Sequence, residues 1–411
     1  MKLLEGIRVL DLSRILAGPW ATQVLADFGA EVIKVERPGI GDDTRGWGPP
    51  FLADADGGDT TESAYYLCAN RGKQSVAIDF TRPEGQALVR ALAERSQVLV
   101  ENYKVGGLAK YGLDFASLQA LNPSLVYCSI TGFGQDGPYA QRAGYDAAIQ
   151  AMGGLMSVTG EADGAPGGGP QKVGVAATDL MTGMYAATAI LAALRHAERT
   201  GSGQQIDLAL LDTQVAWLAN QASNWLVGGV VPERQGSAHP SIVPYQVMPA
   251  ADGHFMLAVG NDAQFARFCE VLGEPGLASD PRYATNAGRV AQRGVLVPLL
   301  QRSLRARPAA EWLARLERAG VPASPVNRID QVFQDPQVQA RGLRITLPHA
   351  SGAQVAMVRN PLRFSATPLR YGDAAPLRGQ HTCQVLGGLL GLDAERLQAL
   401  QRLGVVEAAG G

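Results

Sequence analysis

The chain has 411 residues, 46% of them hydrophobic and 18% charged, which supplies enough apolar surface for two or three folded domains and excludes a disordered chain or a coiled coil. Its 36 basic residues nearly balance 38 acidic residues and leave a formal charge of −2, so no overall field attracts nucleic acid or an anionic membrane. Neither is expected as a partner.

Short β-branched runs alternate with longer helical stretches through the first half of the chain. Residues 8–12 (RVLDL) and 31–36 (EVIKVE) predict strands, and 19–28 predicts the helix between them. The alternation continues with a strand at 75–80, a helix at 83–94 and strands at 98–101 and 125–130. Strands that alternate with helices are typical of a parallel sheet covered on both faces. We therefore predict a doubly wound, mostly parallel, Rossmann-like α/β domain.

The second half of the chain predicts a smaller domain between two linkers. A glycine-spaced segment, 153–174, leads into a long helix at 179–199, followed by a strand at 205–210 and a helix reaching 225. Glycine and proline mark the linkers 226–244 and 321–336. The chain between them, 245–320, predicts an α+β domain that begins with a hairpin at Asp252-Gly253. Residues 1–225 and 337–411, the latter with a helix at 382–389, are expected to form the large domain.

The sequence predicts a cytoplasmic protein without a metal ion or a prosthetic group. Four cysteines form no C-x-x-C pair and five histidines form no H-E-x-x-H motif, so neither a disulfide framework nor a zinc site is indicated. The two leucines between Lys2 and Glu5 are too few for the core of a signal peptide. The uncharged stretches 184–194 and 213–232 are too short or too polar for a membrane span.

Familiar cofactor and hydrolase motifs are missing from the sequence. It contains neither a G-x-x-x-x-G-K-[ST] phosphate loop nor a G-x-S-x-G elbow. The turn after the first strand, SRILAGP at 13–19, has one glycine where a dinucleotide-binding turn needs three. These absences disfavour a nicotinamide enzyme.

Several segments resemble, in order along the chain, the class III coenzyme A transferases of the CaiB/BaiF type. They are LDLSRILAGP (10–19), VIKVERPG (32–39), GDDTRGWGPPF (41–51), NRGKQSVAIDF (70–80), VENY (100–103), SITGFGQDGPYAQRAGYD (129–146), GVAATDLMTGMYAA (174–187) and GQHT (379–382). The resemblance implies that acyl-CoA and a small carboxylic acid are the substrates, that no metal is needed, and that two chains form an interlocked homodimer.

The resemblance also implies that Asp179 is the nucleophile. Its carboxylate would attack the acyl-CoA thioester to give a mixed anhydride, and the released thiolate would return to give an aspartyl-CoA thioester. Covalent capture divides one difficult exchange into easier steps, and water must be excluded because it would hydrolyse the anhydride. By position alone, Asp179 is a first-turn residue of the helix at 179–199, where free N–H groups would keep it ionised.

The CoA site is implied by the same resemblance. Its predicted members are Leu16, Ala17, Arg37, Ile78, Thr81, Asn102, Tyr103, Lys104, Lys110, Arg142 and Tyr145. Four of these are cations suited to phosphate, namely Arg37, Lys104, Lys110 and Arg142. The ordinary alternative for each is a solvated surface side chain.

The identity of the carboxylic acid depends on two loops. The tetraglycine loop of the oxalate-specific enzymes is missing, since 239–246 reads HPSIVPYQ and 258–265 reads AVGNDAQF. The chain most resembles family members that exchange CoA between succinate and glutarate, or citramalate, mesaconate and itaconate. We predict that Arg71 binds the distal carboxylate, with Arg45 and His239 as weaker candidates. The alternative for Arg71 is a salt bridge between a loop and the sheet.

Two other functions stay open. The α-methylacyl-CoA racemases share the fold, but Tyr145 stands where their catalytic histidine falls, and a group with a pKa near 10 is a poor proton shuttle at neutral pH. A non-catalytic CoA-binding protein is the second alternative, and the presence of Asp179 argues against it.

Overall fold

The computed structural model describes residues 2–54 and 56–409, which form two compact units. The first unit comprises the chain up to Leu155, Val173–Ala222 and the chain from Gln337 onward, and the second comprises Met156–Lys172 and Ser223–Pro336. The sequence pattern places Met156–Lys172 in the large domain and predicts a linker at 226–244. Both belong to the second unit, where the Gly236 N–H donates to the Gly160 carbonyl at 2.9 Å and joins them.

The strands in chain order are β1 (Arg8–Asp11), β2 (Glu31–Glu36), β3 (Phe51–Ala53), β4 (Asp59–Ser63), β5 (Lys73–Ile78), β6 (Val98–Glu101), β7 (Val126–Thr131), β8 (Gln205–Ala209), β9 (Tyr245–Ala250), β10 (Gly253–Ala258), β11 (Ala323–Pro325), β12 (Arg344–Pro348), β13 (Gln354–Val358) and β14 (Val406–Glu407).

The α-helices in chain order are α1 (Ala17–Asp27), α2 (Ala64–Cys68), α3 (Pro83–Glu94), α4 (Phe115–Leu121), α5 (Asp146–Met152), α6 (Leu155–Val158), α7 (Ala177–Thr200), α8 (Leu210–Trp217), α9 (Ala219–Gly228), α10 (Asp262–Leu272), α11 (Gly276–Ser279), α12 (Asn286–Ala291), α13 (Arg293–Leu304), α14 (Ala309–Arg318), α15 (Ile329–Val332), α16 (Pro336–Ala340), α17 (Thr382–Leu390) and α18 (Ala394–Arg402). Two 3₁₀ turns lie at Asp43–Gly46 and Ala109–Tyr111.

The first unit is built on a seven-stranded sheet in the order β14-β5-β2-β1-β6-β7-β8. Every neighbouring pair is parallel except β14 with β5. Successive residues of a strand point to opposite faces, so Leu10 packs with α3 and α17 whereas Val9 packs with α1 and α7. Both faces are therefore covered, and the prediction of a mostly parallel α/β fold is confirmed.

The last part of the first unit departs from the prediction. The predicted helix at 382–389 is present as α17, but α18 and β14 follow it. Leu397 and Leu400 of α18 complete the core on one face of the sheet, and β14 adds an antiparallel edge strand. A strand of two residues is too short to show a periodicity, so no pattern in the sequence predicts it.

The second unit contains a three-stranded antiparallel sheet in the order β11-β10-β9. The predicted hairpin at Asp252-Gly253 is present, with Phe255 opposite Met248. β11 lies inside the predicted linker 321–336 and pairs with β10, so that segment is partly a sheet strand. Trp312 of α14 and Phe265 of α10 lie in the core beneath this sheet.

Helix α7 is long and apolar enough, by length and composition alone, to cross a membrane. Half of its apolar 18-residue stretch is buried within the protein, where Ala186 and Ile190 pack against α1 and the sheet. Core helices of globular proteins meet the same criteria of length and composition, and α7 has the packing of a core helix.

Candidate active site

The Asp179 carboxylate lies in the first turn of α7 and is 9% exposed. It lines a cavity of about 440 Å³ in the first unit. The other walls come from the loops that follow β1, β2, β6 and β7, from the chain that leads into α5 and from the first residue of α8. These loops leave the carboxyl ends of the parallel strands, where open α/β sheets bind their ligands. The fold therefore places Asp179 at the expected edge of the sheet.

Asp146 holds the beginning of α7 in place. Its Oδ1 accepts the N–H groups of Thr178 at 2.9 Å and Asp179 at 3.3 Å, and its Oδ2 accepts a bond from Gln150 at 2.8 Å. The Thr178 hydroxyl donates to Gln214 Oε1 at 2.7 Å. The N-cap position of α7 is an alanine, which has no capping side chain, so Asp146 supplies the cap from the neighbouring helix α5. No pattern in the sequence predicts this role of Asp146.

Burial, and secondarily the nearby Asp146 carboxylate, raises the pKa of Asp179 to about 7. This direction is opposite to the expectation that the free N–H groups at the start of the helix keep Asp179 ionised. The free N–H groups there already bond Asp146, which also places a like charge beside the nucleophile. At neutral pH the nucleophile is poised between its acid and its carboxylate form.

Seven of the residues predicted to bind CoA line the cavity of Asp179, which we name the inner cavity. They are Leu16, Ala17, Asn102, Tyr103, Lys104, Arg142 and Tyr145. Two loops meet tightly in its wall, because a Cβ atom on Gly132 would lie 2.5 Å from the Gly144 Cα. A side chain at Gly132 would separate these loops.

The other predicted CoA residues line a second cavity of about 520 Å³, which we name the outer cavity. They are Arg37, Ile78, Thr81 and Lys110, and Tyr103 and Lys104 are again among the lining residues. Both cavities share the residues Arg14, Asp43, Tyr103 and Lys104. Because the two cavities share walls, a long ligand can extend from one into the other. The cations that line both cavities suit a ligand that carries phosphates along its length and a thiol at one end.

Arg71 does not serve the predicted purpose in this structure. Its Nε and Nη2 donate to the two carboxylate oxygens of Asp27 at 2.8 and 2.6 Å, and its Nη1 donates to the Val358 carbonyl at 3.0 Å. It is absent from the described residues that line the inner cavity. The alternative interpretation, a structural salt bridge, is the one that the geometry supports.

Arg45 and His239 are likewise not among the described residues that line the inner cavity. Arg45 donates to Glu36 and to Glu62 at 2.7 Å each, and all three side chains are buried. His239 belongs to the second unit, and its Nδ1 accepts the Ser241 N–H at 3.0 Å. A guanidinium held by two carboxylates is not available to a substrate carboxylate, which removes the support for Arg45 as an anchor.

Two aromatic residues near Asp179 were not singled out from the sequence. Trp47 lines the inner cavity, and its ring contacts that of Tyr65 edge-on with centroids 5.2 Å apart. Burial, followed by the nearby charge of Asp179, raises the pKa of Tyr65 to about 12. Trp47 falls within the quoted GDDTRGWGPPF segment, so the resemblance carried this signal.

Buried charges support the turn that forms one wall of the inner cavity. The Lys34 ammonium lies 2.8 Å from the Asp42 carboxylate and donates to the Ser13 carbonyl at 2.9 Å. Lys73 pairs with Asp11 at 3.1 Å. All four charged side chains are fully buried, so each depends on its partner. The sequence offered no means to pair them.

The four cysteines, Cys68, Cys128, Cys269 and Cys383, are free thiols. Within the described ranges, no group of three or more His, Cys, Asp or Glu side chains is arranged to hold a metal ion. The expectation of a metal-independent enzyme stays a prediction.

A buried carboxylate beside two cavities that share cationic lining residues is suited to covalent acyl transfer. Comparison with known proteins identifies the family of the chain. The model of CoA-transferase family III matches residues 4–382. A succinate–glutarate CoA-transferase of Agrobacterium fabrum is 54% identical over 386 residues, which is 94% of this chain and 95% of that protein. The succinyl-CoA:glutarate CoA-transferase of Homo sapiens is 43% identical over 407 residues, which is 99% of this chain and 90% of that protein.

A solved structure supports the same assignment. The crystal structure of a CAIB/BAIF family protein from Brucella suis matches with a TM-score of 0.83 and 49% identity, covering 94% of this chain and 99% of that one. The chain belongs to CoA-transferase family III. It is a CoA-transferase, and acyl-CoA is its co-substrate.

Proposed function

We propose that this enzyme transfers CoA from succinyl-CoA to glutarate or a closely similar dicarboxylic acid through a covalent Asp179 intermediate. The observation that carries the proposal is the buried Asp179 carboxylate, which faces a cavity lined by residues predicted to bind CoA. The relatives named for succinate and glutarate align with nearly the whole chain, which supports this choice of donor and acceptor.

The reaction proceeds in two mirrored halves. The Asp179 carboxylate attacks the thioester carbonyl of succinyl-CoA, the C–S bond breaks, and a mixed anhydride and CoA thiolate form. The thiolate then attacks the Asp179 carbonyl and releases succinate. The acceptor carboxylate next attacks the aspartyl-CoA thioester, expelling the thiolate. The thiolate attacks the acceptor carbonyl of this second anhydride, which yields the new acyl-CoA and restores Asp179.

Burial serves this chemistry in two ways. It raises the pKa of Asp179, which makes its carboxylate more basic and a better nucleophile than an exposed aspartate. It also keeps water from the two anhydrides, which water would hydrolyse. Asp146 holds α7 so that the carboxylate stays directed at the cavity.

The covalent intermediate can be trapped. The enzyme is mixed with succinyl-CoA without an acceptor and treated with borohydride, which reduces an aspartyl thioester to an alcohol. We expect the peptide that contains Asp179 to carry homoserine at that position, read by mass spectrometry. Labelling of any other carboxylate, or full transfer activity in Asp179→Ala, would overturn the proposal.

The acceptor is identified with a panel of acids at equal concentration. Glutarate is expected to give the highest kcat/KM among glutarate, mesaconate, citramalate, itaconate and oxalate. A reaction in D₂O addresses the racemase alternative, because racemisation exchanges the α-hydrogen and CoA transfer retains it. Binding of CoA without turnover of any acid would favour the non-catalytic alternative.

We infer that the enzyme is a cytoplasmic homodimer. The chain at the end of α9 exposes a run of apolar side chains, with Leu226 78% and Val227 89% exposed and Trp225, Val230 and Val231 more than half exposed. Apolar patches of this kind mark protein–protein contacts. The four free thiols suit a reducing compartment. Sedimentation equilibrium should give twice the mass of the chain, and a monomer at assay concentration would exclude the dimer.

A further inference from the structure

The junction of the inner and outer cavities contains a cation that the resemblance did not assign. Of the four residues that line both cavities, Arg14 and Lys104 are cationic, Asp43 is anionic and Tyr103 is aromatic. A ligand that reaches from the outer cavity to Asp179 passes these side chains. Arg14 is therefore in a position to contact the middle part of such a ligand.

The main chain of Arg14 is firmly held. Its N–H donates to Asn102 Oδ1 at 2.9 Å, and its carbonyl accepts a bond from Asn102 Nδ2 at 2.7 Å. The next residue, Ile15, has a φ of 71°, which is strained for a β-branched residue, and its N–H donates to Asp42 Oδ1 at 3.3 Å. The direction in which the Arg14 side chain leaves the backbone is thus fixed without any help from its own salt bridge.

The guanidinium of Arg14 is only loosely held. Among the residues that the structure describes, its one ion pair joins Nη1 to Asp43 Oδ2 at 2.8 Å, and the two side chains are 44% and 42% exposed. It also lies over the Tyr103 ring at 5.3 Å from the centroid. Exposed ion pairs contribute little to stability, in contrast to the buried pairs of Arg45. Asp43 is therefore a partner that a stronger anion can replace.

We propose that Arg14 binds the pyrophosphate of acyl-CoA, exchanging Asp43 for two phosphate oxygens. The inference rests on the proposed function, in which CoA lies along both cavities with its thiol at Asp179. The pyrophosphate joins the pantetheine arm to the nucleotide, so it falls between the two ends of the ligand, where Arg14 lies. A guanidinium can form bidentate hydrogen bonds with a phosphate, which the ammonium of a lysine cannot. Asp43 holds the guanidinium at the junction until the substrate arrives.

The test compares donors that keep or lack the pyrophosphate. We expect Arg14→Gln to raise KM for succinyl-CoA about tenfold or more while kcat changes less than about twofold, because the lost contact is distant from the reacting carbonyl. The same increase is expected for succinyl-dephospho-CoA, which keeps the pyrophosphate. Succinylpantetheine lacks it, and its KM should be the same for the variant and the wild type. Arg14→Lys should recover part of the loss.

Asp43→Asn is the matched control. It removes the competing anion, so KM for succinyl-CoA should fall, by about twofold to threefold if the pair has the strength usual for exposed pairs. An increase in KM like that of Arg14→Gln would show a structural salt bridge and overturn the inference. An equal loss with succinylpantetheine, or no loss with succinyl-dephospho-CoA, would also overturn it. Failure of the wild-type enzyme to transfer CoA from succinyl-CoA would instead refute the proposed function. Circular dichroism and thermal melting check that each variant is folded.

Discussion

Two groups of buried carboxylates in the first unit differ in whether a cation faces them. Burial alone would raise the pKa of Glu36, but the charge and hydrogen bonds of Arg45, helped by Lys34 and Ser75, lower that pKa to about 2. Asp179 has a carboxylate, Asp146, as its charged neighbour, and its pKa is raised to about 7. Burial with a neighbouring cation thus gives an ionised structural carboxylate, Glu36. Burial with a neighbouring carboxylate gives a nucleophile, Asp179, that titrates near neutral pH.

The largest effect should follow from removing the Asp179 carboxylate, which has no cation beside it among the groups that shift its pKa. Asp179→Asn keeps the shape of the side chain but cannot form an acyl anhydride, so kcat for CoA transfer should fall by at least about a thousandfold. Steady-state transfer from succinyl-CoA measures this. The Asp146→Asn variant provides the control, since its amide oxygen can still accept the N–H groups of α7, and it should retain transfer. Equal losses in both variants would contradict a special role for Asp179.

Removing the cation from a buried ion pair should lower the stability of the fold and leave the substrate preference unchanged. Arg71→Met leaves the buried Asp27 carboxylate without a countercharge, since the remaining donor, Asn360 Nδ2 at 3.0 Å, is neutral. The free energy of unfolding should fall by about 3–5 kcal/mol. Urea denaturation measures the change. The Asp27→Asn/Arg71→Met double variant removes both charges and should regain part of the loss. A variant of normal stability that had lost only its preference for dicarboxylates would restore Arg71 as the substrate anchor.

The pH dependence of catalysis should report the environment of Asp179. Only the carboxylate is nucleophilic, so kcat/KM should fall as the pH drops below about 7. Asp146→Asn removes the neighbouring negative charge, and the acid limb of the profile should move to lower pH. A profile that stays in place in this variant would show that Asp146 acts only through hydrogen bonds.

The two carboxylates should contribute to stability with opposite dependence on pH. The folded-state pKa of Asp179 is raised above its ordinary value of 3.8, so ionisation destabilises the folded protein as the pH rises from about 4 to 7, and Asp179→Asn should melt higher than the wild type at pH 8. The folded-state pKa of Glu36 is lowered, so its contribution is present above its ordinary value of 4.5 and is lost as the pH falls toward 2. Glu36→Gln should therefore melt below the wild type at pH 8, and by less at pH 3. Parallel pH dependence of the two variants would contradict the comparison.

The central sheet and the position of the nucleophile could be predicted because the signals are local. Alternating β-branched and helical segments gave β1, α1 and β2 with their boundaries nearly correct. The resemblance proposed Asp179, and residues proposed with it line the same cavity. Local patterns of this kind do not depend on distant parts of the chain.

The charge pairs could not be predicted in this way. Arg71 meets Asp27, which lies 44 residues earlier in the sequence, and nothing in the spacing links them. Asp146 caps a helix that begins 31 residues later, where Ala177 opens α7. The pKa of Asp179 was expected to follow the helix N-terminus, but that inference required knowing which group already occupied the N–H donors. Pairings over such distances appear only in the folded chain.

Because β14 and α18 come late in the chain yet belong to the first unit, the central sheet cannot be completed until late in synthesis. β14 and α18 lie within the last twenty residues described, and they cover the edge and one face of a sheet whose other strands emerge from the ribosome much earlier. Until they arrive, β5 is an open edge that can pair with other chains. A chain that terminates before Ala394 would keep Asp179 and its cavity lining yet expose that edge, so premature stop codons near the end should yield aggregated protein rather than a merely shortened enzyme.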